Sequence, residues 1–191
     1  MKNLVVVALV TVMMVLASCG NAQKKAEQAK QDSARIADSI AKVDSLYCSK
    51  WILIETSKVT GITYIESKDF LIVSTDGKKG FRILMMQGNG YDLFLHIKVI
   101  GERICIDEGE KIDILFTDGS KLELGNEADY NCEGKVNVSF GGIRGNKKQL
   151  EELKTKKIQT MRVWTRDGYV EEDFTKDNQE EFYNVINCLT K

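Results

Sequence analysis

From Trp51 to Phe140 the chain is a succession of short runs rich in β-branched and aromatic residues, cut at close intervals by glycine. The runs are Trp51–Glu55, Ile62–Glu66, Phe70–Thr75, Phe81–Met86, Tyr91–Ile100, Ile104–Asp107, Lys111–Phe116, Lys121–Leu124 and Lys135–Phe140. Asp76-Gly77, Gly88-Asn89-Gly90 and Asp118-Gly119 separate successive runs, and such pairs supply the positive φ angles of tight hairpin turns. That pattern predicts antiparallel strands joined as a meander. Leu93, Leu95, Ile97 and Val99 alternate with Phe94, His96 and Lys98, and Ile112, Ile114 and Phe116 with Lys111 and Asp113. One face is therefore expected to be buried and the other partly wet. Phe70–Val73 and Phe81–Met86 carry apolar residues at both parities and read as central strands covered on both sides.

The remainder of the domain mixes types. Leu150 and Leu153 after Asn146 predict a short helix, and Lys157–Thr165 and Tyr169–Phe174 predict two strands around Arg166-Asp167-Gly168. A last helix is expected from about Asp177, whose spacing to Glu180 suggests a capping box, with Phe182, Val185, Ile186 and Leu189 as its apolar stripe. The fold class expected is mainly β (α+β), a two-layer antiparallel β-sandwich or meander of about ten strands closed by a C-terminal helix. Residues 46–191 make one such domain, large enough for its own core.

The N-terminus obeys different rules. Lys2 precedes an apolar run from Leu4 to Leu16, and Ala17-Ser18 lead into Cys19. The run's 13 residues fit the roughly 7–15 of a signal h-region and fall short of the ~20 that span a bilayer. Basic head, apolar run and Leu16-Ala17-Ser18-Cys19 together resemble the lipobox of bacterial lipoproteins, in which cleavage precedes a lipidated cysteine. The resemblance implies a signal peptide over residues 1–18, a lipid (palmitate-type acyl chains) on Cys19 and membrane attachment at that end only. Residues 19–45 then read as a tether rich in Ala, Lys and Asp-Ser pairs, loosely similar to those of small Bacteroidota envelope lipoproteins. Ile36, Ile40 and Val43 fall on one helical stripe too narrow to hold an isolated helix. Gly20-Asn21-Ala22-Gln23-Lys24-Lys25 contains no acid, so by the same resemblance the outer membrane, facing the periplasm, is the expected site.

Composition bounds the partners. The net charge of −1 offers no polybasic field for nucleic acid. Beyond Cys19 there are four cysteines, Cys48, Cys105, Cys132 and Cys188, which an exported chain can oxidise in three connectivities or leave as buried thiols. No cysteine pair has zinc spacing, so no metal and no cofactor are expected.

Catalytic signals are sparse. His96 is the only histidine and has no G-x-S-x-G or nearby cysteine beside it, so no catalytic residue is assigned. Asp107, Glu108, Glu110 and Asp113 lack calcium-loop spacing and read as a solvated turn. Glu171, Glu172 and Asp173 form a second acidic set that could serve glycoside hydrolysis only if two carboxylates converge. Trp51 and Trp164 read as core or interface anchors. The first candidate for a ligand loop is Gly141-Gly142-Ile143-Arg144-Gly145-Asn146, which lacks a phosphate-loop lysine but is glycine-rich and precedes a helix; Gly141, Gly142, Arg144 and Asn146 are its candidate residues. The leading expectation is a non-enzymatic envelope lipoprotein that binds a protein or envelope component. The alternatives are a carboxylate-dependent hydrolase of envelope polymers and a periplasmic inhibitor or immunity factor.

Overall fold

The expected turns place the strands. In the computed structural model, which describes residues 45–87, 92–101, 104–141 and 146–191, ten strands and two longer helices follow one another. They are β1 (Ile52–Thr56), β2 (Thr63–Ser67), β3 (Leu71–Val73), β4 (Gly80–Gln87), β5 (Leu93–Ile100), β6 (Lys111–Phe116), β7 (Lys121–Gly125) and β8 (Lys135–Phe140). Helix α1 (Lys147–Thr155), β9 (Ile158–Thr165), β10 (Gly168–Asp173) and α2 (Lys176–Leu189) complete the chain. Cys19, the signal segment, the tether stripe and Gly88-Asn89-Gly90 lie outside the described residues, as do Gly142 and Arg144. Residues 48–191 form one unit; of the unit before it only residues 45–47 are described, in a helical turn.

The strands form two antiparallel sheets, not one meander. A six-stranded sheet runs β1-β2-β4-β5-β8, with β3 also paired to β4, and a four-stranded sheet runs β10-β9-β6-β7. The chain leaves the first sheet after β5, returns for β8 and leaves again for β9. Hydrophobic alternation cannot encode that exchange, because it fixes which face is buried but not which neighbour a strand takes. The run Ile104–Asp107 is also not a strand: only Ile106 bridges, to Asn131.

Both sheets turn their apolar parity to one core. Phe81, Ile83, Met85, Leu93, Leu95, Ile97, Val136, Val138 and Phe140 from the first meet Ile112, Ile114, Phe116, Leu122, Leu124, Met161 and Val163 from the second. The stripe of α2 joins them, with Phe182, Val185, Ile186 and Leu189 each 3 % exposed or less. Burying such side chains contributes roughly 1.5–3 kcal/mol apiece. The helix is capped at Thr175, not Asp177: Thr175 Oγ1 accepts from Asn178 N at 3.2 Å. Threonine accepts that bond while holding extended φ and ψ, which leaves Asp177 inside the first turn where its charge favours the dipole.

The expectation for β3 and β4 needs correction. β4 is central, but β3 is a three-residue edge strand, and Phe70 and Ile72 are 51 % and 53 % exposed. Gly80 begins β4 at φ 135°, where a Cβ would intrude on the carbonyl of Val73, so only glycine lets β3 approach. The cysteines pair as Cys48–Cys188 and Cys105–Cys132. The first closes a loop of 140 residues and ties the end of α2 to the start of the unit. Loop-closure entropy alone assigns such a cross-link roughly 5 kcal/mol.

Candidate functional site

The outer face of the six-stranded sheet is the candidate interface. Antiparallel register sets side chains opposite one another in rows, so the rows follow from the pairing. One row is Ile72, Arg82, Lys98 and Lys135, on β3, β4, β5 and β8. The next is Leu84, His96 and Asn137, and the third is Met86, Phe94 and Ser139. Phe70 lies beside the first row, with the Arg82 guanidinium 5.5 Å from its ring centroid. Phe70, Arg82, Leu84, His96, Lys98, Lys135 and Asn137 line a shallow concavity of about 220 Å³.

Within the first row of this face the charges repeat, while the acids Glu55 and Glu66 lie toward its β1–β2 end. Arg82, Lys98 and Lys135 stand directly opposite across three strands, an arrangement that destabilises a sheet by roughly 0.2–1 kcal/mol per like pair. Among the described residues Glu133 is the one carboxylate that answers the row: it ion-pairs with Lys135, and its backbone carbonyl accepts from Lys98 Nζ. The hydrogen bond and charge of Lys135, with Lys98 behind them, hold the Glu133 carboxyl below its ordinary range. Arg82 has no ion pair among the described residues and rests on an aromatic ring instead. His96 is half-buried, its Nδ1 2.7 Å from Asn137 Oδ1. An amide oxygen only accepts, so Nδ1 is the donor in that contact; Phe94 lies alongside, ring centroids 6.3 Å apart. Among the described residues no hydroxyl or thiol nucleophile is hydrogen-bonded to the imidazole.

The outer face of the four-stranded sheet carries the other candidates. Glu123, Asp113, Arg162 and Glu171 form a row across β7, β6, β9 and β10, with Lys111 Nζ 2.9 Å from Glu123 Oε2. Arg162 binds Glu171 through Nε at 2.7 Å and Nη2 at 2.6 Å, which raises the guanidinium's proton affinity further. Its guanidinium also lies 4.3 Å from the Tyr169 ring. Trp164 is not a core residue: it sits half-buried on this face, donating from Nε1 to Asp113 Oδ2 at 2.7 Å, with Tyr169 edge-on at 5.5 Å. Trp51, by contrast, packs against the core. Asp113 and Glu171 lie two strand spacings apart, about 10 Å, and both are occupied by donors.

The other sequence candidates disperse. Glu172 accepts from Thr75 N and Oγ1, and Asp173 from Thr160. Asp107, Glu108 and Glu110 form the turn before β6, pinned by Asn126, while Asp113 lies within β6. Among the described residues no three His, Cys, Asp or Glu side chains gather around a metal position, and no helix is long and apolar enough to cross a membrane. Of the glycine-rich loop, Gly141 follows β8 at φ 114° and Asn146 donates to Ser139 O at 2.9 Å.

Sequence reasoning found His96, Phe94 and Lys98 on a common outer face but missed Arg82 and Lys135 beside them. The available signal was their outward parity in Phe81–Met86 and Lys135–Phe140; the missing information was register. No family model, curated protein or solved structure matches the chain.

Proposed function

We propose that the chain is a lipid-anchored protein of the bacterial cell envelope, held through Cys19, whose β-domain binds an acidic protein partner and carries out no catalysis. The observation that carries the binding role is the row Arg82–Lys98–Lys135 beside Phe70, Leu84 and Ile72. A like-charged row persists in a sheet at a cost, and an anionic partner removes that cost while covering the apolar side chains. Size separates the partner classes. A concavity of about 220 Å³ lies below the ~300–1,000 Å³ of small-molecule clefts, whereas a shallow apolar surface rimmed by charge suits a protein surface. The lipobox supports the anchor, and two disulfides suit an oxidising compartment.

Two measurements test the two halves. Cys19→Ala is expected to abolish incorporation of radiolabelled palmitate; unchanged labelling would contradict the anchor. A photo-cross-linking residue at Ile72 is expected to give a covalent adduct in intact cells, and the same residue at Tyr169 none. Arg82→Glu with Lys98→Glu should remove the adduct. An adduct that survives the charge reversal, or none at Ile72, refutes the binding face.

A further inference from the structure

A sheet edge presents unpaired backbone groups, and native proteins block such edges. Four of the five edges here are blocked in recognisable ways. On β8, Lys135 N and O are taken by the Asn131 side chain, Asn137 N by Asn126 Oδ1, Asn137 O by Glu127 N, and Ser139 O by Asn146. On β3, Asn178 of α2 donates to Ile72 O at 3.2 Å. β10 ends in three consecutive acids, Glu171, Glu172 and Asp173, and β7 carries Lys121 and Glu123.

β1 carries one charged residue, Glu55, and among the described residues no side chain or loop covers its outer backbone groups. Trp51 O accepts from Lys68 N and Ser57 N donates to Ile62 O, so the odd-numbered residues face β2. The N–H and C=O groups of Ile52, Ile54 and Thr56 therefore point away from the sheet. They have no hydrogen-bond partner among the described residues. Ile54 is 62 % exposed and Leu53 37 %. Water can satisfy such groups one at a time, whereas another extended backbone matches the whole ladder, which repeats every second residue.

Charge decides what kind of strand. Leu53 and Glu55 share the outer face with Tyr64 and Glu66, and neither glutamate has an ion-pair partner among the described residues. A second copy pairing β1 with β1 about Ile54 would set Glu55 beside Leu53 and crowd four carboxylates together. A strand with lysine or arginine at alternate positions would neutralise them. We infer that the open edge of β1 takes an extended segment of a partner polypeptide with basic residues facing Glu55 and Glu66 and an apolar residue beside Ile54. This edge is separate from the cationic row, and either site can fail without the other.

Ile54→Pro tests it. Ile54 N–H points outward, so proline there removes a group offered to the partner and leaves the β1–β2 ladder intact. The probe is a fluorescent Lys-Val-Lys-Val-Lys-Val-Lys peptide titrated into the purified full chain, with melting temperature as the check on folding. The expected result is saturable binding that Ile54→Pro weakens at least tenfold and Glu55→Gln weakens measurably, while Arg82→Gln leaves it unchanged. Absence of binding, or binding equal in wild type and Ile54→Pro, overturns the inference. Self-association in sedimentation that Ile54→Pro abolishes overturns it too, since the occupant would then be a second copy. If Ile54→Pro does not fold, a peptide N-methylated at alternate residues replaces it, and undiminished binding of that peptide is the contrary result.

Discussion

Each sheet sets a row of charged side chains across its outer face, and the two rows are built differently. On the four-stranded sheet the row is Glu123, Asp113, Arg162 and Glu171, and although its first two members are both acids every group is held: Lys111 on Glu123, Trp164 on Asp113, the fork of Arg162 on Glu171, Tyr169 against the guanidinium. On the six-stranded sheet the signs repeat, Arg82, Lys98 and Lys135, with one carboxylate at the end of the row and apolar side chains beside it. A satisfied row contributes to the fold. An unsatisfied row needs a reason outside the fold, and the reason proposed is a partner.

Trp164→Ala breaks the comparison most strongly. It removes a half-buried aromatic body, its contact with Tyr169 and the hydrogen bond to Asp113, so stability should fall by about 2 kcal/mol. Chemical denaturation measures the loss, and partner binding should be unchanged because that face is structural.

The next effect depends on pH. The Glu133 carboxyl is held below its ordinary value of 4.5 by Lys135 and Lys98, so the folded state binds its proton less readily than the unfolded state. Its contribution is therefore present above that ordinary value and is lost as the pH falls through the lower folded value. Wild type should melt above Glu133→Gln at neutral pH, and the two curves should converge under strong acid. A gap that persists there would show that the glutamate acts through packing.

The smallest effect has the opposite sign. Lys98→Gln relieves like-charge contacts on both sides, so the free protein should be as stable as wild type or more so by a few tenths of a kcal/mol. Arg162→Gln should lower the melting temperature. If Lys98→Gln also destabilises, the cationic row is part of the fold and the contrast between the faces disappears.

How much of this was legible in the sequence follows from what each signal encodes. Periodicity and turn residues place ten strands, the core parity of β5 and β6 and the stripe of α2, because burial and φ are local demands. The exchange of β8 and β9 between sheets is not local and was missed. The cationic row depends on it: Ile72 and Lys135 are 63 positions apart, and no interval in the chain marks them as neighbours. The same holds for Asn126 and Asn131, whose amides close the β8 edge and look like ordinary loop residues until β8 is placed. Of the two readings of Trp164, core or interface anchor, the core one fails, because aromatic content does not reveal which face of a strand is covered.

The most direct measurement puts both faces in one sample. A short poly-glutamate peptide is titrated into the isotope-labelled protein at low salt while backbone and side-chain resonances are followed by NMR. The account expects shifts at Arg82, Leu84, His96, Lys98 and Lys135, suppressed by added salt, with Asp113, Arg162, Trp164 and Tyr169 unmoved. Equal shifts on both faces, or shifts confined to the four-stranded sheet, would contradict it.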